Sequence, residues 1–295
     1  MKKSILVTGS HRSGSTWTGK VISKAPKVRY IQEPFNIAIK RYKPPFKYWF
    51  QYITSDVKHQ QDVKKYIDSF LRIFHISSLT RLFKVRTVKE IYGHFLDLKR
   101  RATDRTIIKD PIAIMSTEWL YNNYNLDVVI IIRHPAAFVA SLKVKKWKFD
   151  FNNYLNQPML MNSYLKDYED EINDFSRNQK DIIDQGILLW KTIYGTVSYY
   201  QEKYKDDWCF VKHEDLSINP IEEFKNIFSK INLTFSDNVK SYIFETTNSG
   251  VKSDLKRNSK ENVKTWKNRL TEEEIARVKI GTKPVWENFY TENDW

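Results

Sequence analysis

The sequence predicts an α/β fold in which helices cover both faces of a central parallel β-sheet. Short apolar, β-branched runs alternate along the chain with longer amphipathic stretches, as in strands joined by crossover helices. Several of these runs are apolar throughout, which is typical of strands buried on both faces. At 295 residues the chain is long enough to bury a full core. The predicted strands are residues 4–8, 28–32, 105–109, 128–132 and 208–212.

The first predicted strand leads directly into a glycine-rich loop. Gly9 and Gly14 have the spacing of a Walker-type phosphate loop, but Ser15 stands where that loop has lysine. Backbone amides of the loop and of the following helix can still bind a phosphate. The basic side chain of the loop is Arg12. The motif therefore predicts a nucleotide bound without metal, rather than a magnesium triphosphate.

The second and third predicted strands end in ionisable residues. Glu33 follows the strand 28–32, and Lys109 ends the strand 105–109, with Asp110 directly after it. The carboxyl ends of parallel strands lie at one edge of a sheet, where ligands bind. We expect these side chains to face the same crevice as the glycine-rich loop.

The fourth predicted strand ends in Arg133, where a Walker B strand would carry a magnesium-binding aspartate. An arginine at this place favours bidentate binding of phosphate. Pro135 suits the first turn of a helix, which places Ser141 about two turns into that helix. Arg133 and Ser141 therefore predict a second anion site. One nucleotide with phosphate on both sides of its ribose would fill both sites.

The two anion motifs resemble those of the sulfotransferases that use 3′-phosphoadenosine 5′-phosphosulfate (PAPS). That family binds the 5′-phosphosulfate with a loop matched position by position by Arg12, Ser13, Gly14, Ser15, Thr16 and Trp17. Its 3′-phosphate motif has the spacing of Arg133, Pro135 and Ser141, and residues 211–220 and 266–271 are also similar to it. The resemblance implies a P-loop NTPase-like three-layer fold with large helical insertions. It also implies PAPS as the donor, no metal, and Ser10 and His11 as further donor contacts.

Two other segments refine the resemblance. Residues 257–260 occupy the region where cytosolic members carry an Arg-Lys-Gly stretch, but they lack its glycine. The resemblance implies Arg257 and Ser259 as the 3′-phosphate contacts in this region. Residues 30–36 resemble the Glu-Pro segment of carbohydrate 6-O-sulfotransferases, in which a nearby glutamate is the base. The N-terminal motifs are thus closest to those of carbohydrate O-sulfotransferases.

Sulfuryl transfer needs alignment and charge neutralisation more than covalent help from the protein. Glu33 is the expected base, because a carboxylate in a closed pocket can have its pKa raised toward the working range. The alternative is a strand-end cap before Pro34. Arg12 is expected to stabilise the leaving phosphate oxygen. Lys109 is expected to hold the sulfonate or the bridging oxygen, unless it simply ends its strand, and Asp110 is a second candidate base.

Two insertions are expected to elaborate a single domain spanning residues 1–295. Residues 36–104 and 143–184 are expected to form the acceptor pocket and its lid. The first insertion has 15 basic and 6 acidic residues and contributes +9 to the formal charge of +14. It would attract an anionic acceptor, and its aromatic residues could stack on sugar rings. The alternative is an ordinary solvated helical surface with an aromatic core face.

Composition and motifs leave two other functions open. One is a P-loop nucleotide kinase with a relocated cation, against which Arg133 argues; the other is a noncatalytic protein that binds nucleic acid or another polyanion. No apolar run approaches the about 18 residues that a membrane span requires. The histidines and the single cysteine show no metal-ligand spacing. The favoured expectation is a cytoplasmic enzyme with a hydroxyl-bearing acceptor, a saccharide, and neither nucleic acid nor metal as a partner.

Overall fold

A computed structural model describes residues 2–39, 41–72, 87–247 and 263–295. Within these ranges one parallel sheet has the strand order β2-β3-β1-β4-β5. The strands are β1 (Ser4–Gly9), β2 (Val28–Gln32), β3 (Arg105–Lys109), β4 (Leu126–Ile132) and β5 (Cys209–Lys212). Each predicted strand is present within two residues of its expected bounds. The predicted α/β class with a parallel sheet is confirmed.

The helices occur between the strands and after the last one. They are α1 (Ser15–Ile22), α2 (Val57–Leu71), α3 (Val88–Thr103), α4 (Thr117–Asn123), α5 (Pro135–Lys145), α6 (Asn152–Leu155), α7 (Pro158–Met161), α8 (Glu169–Arg177), α9 (Ile182–Tyr204), α10 (His213–Ile218), α11 (Pro220–Lys230), α12 (Asp237–Thr247) and α13 (Glu272–Trp286). No helix in the described part of the chain is long and apolar enough to cross a membrane.

Two hydrophobic cores lie on opposite faces of the sheet because successive side chains of a strand point in opposite directions. Leu6 of β1 belongs to the larger core, which α5, α9 and α13 cover. Its neighbours Ile5 and Val7 belong to the second core, which α1, α11 and α12 cover. The architecture is therefore helix, sheet and helix, the three layers that the sequence predicts.

Strand β1 lies at the centre of the sheet. Val7 is paired with Lys109 of β3 on one side and with Val129 of β4 on the other. Helix α1 comes back over β1 and β3, and it approaches β3 closely at Gly19, where a Cβ atom would lie 2.9 Å from Cγ of Lys109. The carboxyl ends of β1, β2, β3 and β4 thus meet at one edge, close to the amino end of α1.

Candidate active site

The loop after β1 has a backbone that only certain residues tolerate. Arg12 and Gly14 both have a positive φ, of 64° and 92°. A Cβ atom at Gly14 would lie 2.4 Å from Nδ1 of His213, so glycine is required there for space as well as for conformation. Gly14 is the N-cap of α1 and offers no capping side chain. The first amides of α1 are therefore available to an anion, as the sequence predicts.

The two predicted anion motifs are in direct contact. Nε of Arg12 donates a hydrogen bond to Oγ of Ser141 at 2.8 Å. The guanidinium of Arg133 donates to the backbone oxygen of Arg12. The structure therefore brings Arg12, Arg133 and Ser141 into one cluster at the ends of β1 and β4.

Two side chains of α9, Tyr194 and Trp190, hold this cluster in place by hydrogen bonds. The hydroxyl of Tyr194 accepts a hydrogen bond from the amide of Arg133 at 3.1 Å and lies 2.8 Å from Oγ of Ser10. Trp190 donates to the carbonyl of Arg133 at 2.9 Å. Ser10 and Ser13 are fully buried. Ser10 is thus linked to the end of β4 through the hydroxyl of Tyr194.

A partly buried carboxylate fixes the turn after Arg133. Glu214 accepts hydrogen bonds from the amide of His134 at 3.1 Å and from the hydroxyl of Tyr290 at 2.9 Å, and burial raises its pKa. The imidazole of His134 is buried, stacks on Trp266 at 5.1 Å and has its pKa lowered to about 3 by burial. Its burial follows from the C-terminal aromatic side chains Trp266, Tyr290 and Trp295, which pack over it.

Glu33 and Lys109 form an ion pair at the ends of β2 and β3. Glu33 has a left-handed backbone with φ of 51°, and its amide donates to the carbonyl of Lys109 at 2.7 Å. Its carboxylate accepts from the ammonium of fully buried Lys109 and from Nδ2 of Asn36 at 2.8 Å. The carboxylate that the sequence selects as base is thus held in one orientation by two donors.

Asp110 is fully buried beside this pair. Its carboxylate accepts from the amides of Phe35 at 2.5 Å and Ile112 at 3.0 Å. Burial raises the pKa of Asp110 to about 7, although both amide hydrogen bonds oppose the shift. Its contacts are those of a side chain that fixes the backbone around Glu33.

A cavity of about 840 Å³ connects these groups. It is lined by the predicted residues His11, Arg12, Gly14, Ser15, Thr16, Trp17, Glu33 and Arg133. Ser10, Ser13, Lys109 and Ser141 are buried behind this lining. Arg257 and Ser259 lie outside the described residues.

The far wall of the cavity is aromatic and comes from both insertions. Trp49 and Phe50 belong to the first insertion, and Trp147 and Phe149 to the second. The amide of Trp49 donates to Oδ1 of Asn153 at 3.0 Å. Trp49 and Phe50 are among the aromatic residues of the first insertion that the sequence offers for stacking on sugar rings. Trp147 and Phe149 were missed from the sequence, where the only signal is the aromatic run around residues 147–151.

Gln157 holds the two insertions together. Its Oε1 accepts from the amide of Tyr52 at 2.7 Å, and its Nε2 donates to the carbonyl of Asn153 at 2.7 Å and that of Phe50 at 3.4 Å. The side chain of Gln157 is buried. Since buried amides are costly when unpaired, this network fixes the position of the wall.

His11 lies where the loop meets the aromatic wall. Its ring packs against Phe138 at 5.1 Å, Phe50 at 5.9 Å and Trp147 at 6.2 Å between centroids. Burial, with a smaller effect of Arg12, lowers the pKa of His11 to about 4. The imidazole is therefore neutral near neutral pH and can donate one hydrogen bond into the cavity.

Trp17 lines the cavity on the side of α12. Its Nε1 donates to Oγ1 of Thr246 at 2.9 Å, and its ring packs edge-to-face on Phe224 at 5.2 Å. His213 and Ser217 line the same side, and sequence reasoning gave neither of them a role. In the described part of the chain, no three His, Cys, Asp or Glu residues are grouped as metal ligands.

Comparison with known proteins identifies relatives of the chain. The model of the sulfotransferase family matches residues 4–237. A sulfotransferase domain from the curacin biosynthetic pathway is 13% identical, with a TM-score of 0.53 over 96% of this chain and 98% of that chain. The sulfotransferase domain of the olefin synthase from Synechococcus PCC 7002 is 15% identical, with a TM-score of 0.50 over 98% and 94%. These two structures share the fold. No curated protein matched the sequence.

Proposed function

Because the chain belongs to the sulfotransferase family, we propose that it moves the sulfuryl group of PAPS to a hydroxyl of a carbohydrate acceptor, with Glu33 as base. The observation that carries the proposal is that Glu33 lines the same cavity as Arg12, Arg133 and the amino end of α1. The Glu33 carboxylate, two guanidinium groups and the amino end of α1 therefore line one cavity, which supports the proposal. The family match favours this reading over the kinase and the noncatalytic binder.

The donor side of the cavity has the chemistry that a nucleotide with two phosphate groups requires. Gly14 leaves the first amides of α1 without a capping side chain, and Arg12 projects from the same loop. Arg133 supplies a second guanidinium, and Ser141 supplies a hydroxyl that lies 2.8 Å from Nε of Arg12. We assign the loop to the 5′-phosphosulfate and Arg133 with Ser141 to the 3′-phosphate. PAPS, when bound, supplies a sulfuryl group on a phosphate leaving group.

The transfer itself makes one sulfur–oxygen bond and breaks another. Glu33 accepts the proton of the acceptor hydroxyl as its oxygen bonds to sulfur. Arg12 stabilises the negative charge that develops on the phosphate oxygen as the old bond breaks. Lys109 orients the Glu33 carboxylate in the resting state and places a positive charge next to the transferred group. Asn36 gives Glu33 its second fixed contact.

The aromatic wall supports a saccharide as the acceptor. Sugar rings pack their C–H faces on aromatic side chains, and Trp49 and Trp147 present such surfaces to the cavity. Asp150 and Asn153 line the cavity next to them, where polar atoms can pair with ring hydroxyls. The cavities that bind small ligands in proteins measure about 300–1,000 Å³. This cavity, at about 840 Å³, lies in the upper part of that range and has room for a nucleotide and an acceptor ring together.

Glu33→Gln tests the assignment of the base. We expect turnover with PAPS to fall at least about a hundredfold, because a general base contributes roughly that factor or more. The Kd of adenosine 3′,5′-bisphosphate, measured by calorimetry, is expected to stay within about twofold. Asp150→Asn is the matched control, since it removes another carboxylate from the same cavity. It is expected to keep kcat and to raise only the KM for the acceptor, because Asp150 is assigned to the ring hydroxyls and not to proton transfer.

The acceptor class is tested separately with labelled PAPS and a panel of saccharides, tyrosine peptides and small phenols. Transfer to saccharides alone is expected. Undiminished turnover in Glu33→Gln would remove Glu33 as base, and preferred transfer to a peptide or a phenol would remove the carbohydrate assignment. Calorimetry with ATP and magnesium serves as the control for a kinase, and no binding stronger than that of the bisphosphate is expected.

A further inference from the structure

Helix α3 presents an apolar stripe to solvent. Val88, Ile91, Tyr92, Phe95 and Leu96 recur at the spacing of one helix face. Their residues are between 38% and 82% exposed, and Phe95 is 64% exposed. Isolated exposed apolar residues are ordinary, but five on one face of one helix form a continuous patch. Such a patch marks a surface that binds another protein or a membrane.

The opposite face of α3 holds the helix to the domain through charged groups. Nε of Arg101 lies 2.7 Å from Oδ2 of Asp97, and its Nη1 donates to the carbonyl of Ser69 at 2.6 Å. Arg29 of β2 lies 3.9 Å from the same aspartate. The Arg101 side chain is only 7% exposed. At about 100° per residue, Asp97 and Arg101 lie across the helix from the apolar stripe.

Helix α3 is therefore inverted relative to an ordinary surface helix. A surface helix normally turns its apolar stripe to the core and its charges to water. Here Asp97 and Arg101, in the last two turns, contact the domain, and the apolar stripe is turned outward. None of the described side chains of α3 is fully buried, so the five apolar side chains remain in water. The apolar stripe of α3 is thus built for contact with another phase or molecule.

The charges around the stripe indicate which partner it takes. Lys89 borders the stripe and Lys99 lies in line with it, one turn beyond Phe95. The insertion to which α3 belongs, residues 36–104, has 15 basic and 6 acidic residues in its sequence. A second copy of this chain would bring the same positive surface against itself. A membrane with anionic lipids instead offers an apolar layer under a negative surface, which suits this combination.

We propose that α3 docks the protein on an anionic membrane surface, with the apolar stripe inserted at the headgroup boundary and Lys89 and Lys99 on the headgroups. The helix lies in the plane of the membrane and does not cross it. This docking is independent of the proposed function, since it uses no residue that lines the cavity. It would bring the enzyme to acceptors that are held at a membrane.

Cosedimentation with vesicles tests the docking. The wild-type protein is expected to bind vesicles of phosphatidylcholine and phosphatidylglycerol, to bind pure phosphatidylcholine much less, and to be released by salt. The double variant Ile91→Ser/Phe95→Ser is expected to lower the partition coefficient at least about tenfold, because it removes two apolar side chains that docking would bury in the membrane. Lys89→Glu/Lys99→Glu is expected to weaken binding to the anionic vesicles alone.

The matched control is Phe244→Ser/Ile280→Ser. It removes two side chains of residues that are 54% and 75% exposed on other helices, and it is expected to leave vesicle binding unchanged. Binding of adenosine 3′,5′-bisphosphate shows that each variant is folded. Equal vesicle binding by the wild-type protein and Ile91→Ser/Phe95→Ser would overturn the proposal. So would a wild-type protein that ignores anionic vesicles and forms a dimer, by light scattering, that this variant abolishes.

Discussion

The two halves of the cavity are built in different ways. The half that we assign to the donor, called the donor half, consists of a loop, a helix amino end and a strand end that adjoin in the sheet, with Gly14 and Arg133 as its fixed points. The half that we assign to the acceptor, called the acceptor half, consists of irregular segments from two insertions, joined by the side chains of Asn153 and Gln157. The first half depends on backbone geometry and charge. The second depends on a few buried amides that connect positions about 100 residues apart.

This difference implies that the two halves fail independently when mutated. A change in the donor half removes a positive charge of the protein that faces the fixed negative charge of the ligand. A change in the acceptor half moves aromatic surfaces and leaves the donor groups in place. Substitutions in each half should therefore separate donor affinity from acceptor affinity.

The largest expected effect is that of Arg133→Ala. The variant loses a guanidinium that we assign to the 3′-phosphate and the contact that holds the Arg12 carbonyl. We expect the Kd of adenosine 3′,5′-bisphosphate to rise about a hundredfold, since a charge-assisted hydrogen bond contributes up to about 3 kcal/mol. Isothermal titration calorimetry measures the change.

Arg269→Ala is the control for this variant, because Arg269 is an exposed arginine that lines the same cavity. It is expected to change the Kd by much less. Equal losses in the two variants would mean that the cavity responds to its net charge alone. The assignment of Arg133 to a specific phosphate would then be wrong.

A smaller effect is expected from Gln157→Leu. Removal of the amide leaves the amide of Tyr52 and two carbonyls without their partner, at a cost of about 1–3 kcal/mol in the free energy of unfolding. The aromatic wall loses its fixed position, so the KM for the acceptor is expected to rise about tenfold. The Kd of the bisphosphate is expected to stay unchanged.

Steady-state kinetics and thermal unfolding measure these quantities. Gln60→Leu is the control, since it removes a glutamine whose side chain donates to the carbonyl of Thr54 at 3.1 Å, outside the cavity. If Gln157→Leu weakened donor binding as much as acceptor binding, the two halves would not be independent.

The smallest effect on ligand affinity is expected at the boundary between the halves, where Asp110 accepts hydrogen bonds from the amides of Phe35 and Ile112. Its pKa is raised from 3.8 to about 7, so the folded protein holds a proton between these values that the unfolded chain has released. Asp110 therefore makes the free energy of unfolding fall as the pH rises from about 4 to about 7, by up to about 1.4 kcal/mol per pH unit.

Asp110→Asn removes this titration. We expect the free energy of unfolding of the variant, from urea denaturation at several pH values, to depend less steeply on pH over that interval. Parallel pH profiles for the variant and the wild-type protein would show that Asp110 is ionised in the folded state throughout. Asp110 would then be a stronger candidate for the base than its contacts indicate.

The donor half could be predicted from the sequence because its signals are local. Gly9, Arg12 and Gly14 lie in six consecutive residues, and the strands around them are apolar runs with clear ends. The parallel sheet then dictates that Glu33, Lys109 and Arg133 meet at one edge, although their strands are far apart in sequence. The ion pair between Glu33 and Lys109 needed the structure, since a shared edge does not give a contact.

The acceptor half could not be predicted in the same way. Asn153 and Gln157 act through hydrogen bonds to the backbone of Trp49 and Tyr52, and no spacing rule connects such positions. The apolar stripe of α3 is readable as a periodic pattern, but the pattern predicts a face turned to the core. Only the inward placement of Arg101 shows that the helix is turned the other way.

The contact between Gly19 and Lys109 sets a limit on how this enzyme can diversify. Because Gly19 packs directly on the side chains of Lys109 and Tyr30, a methyl group there would push α1 away from β3. Under the proposed assignment, that shift would separate the donor loop from Glu33. Every acceptor would then have to present its hydroxyl at the same depth, and specificity would change at the entrance of the cavity.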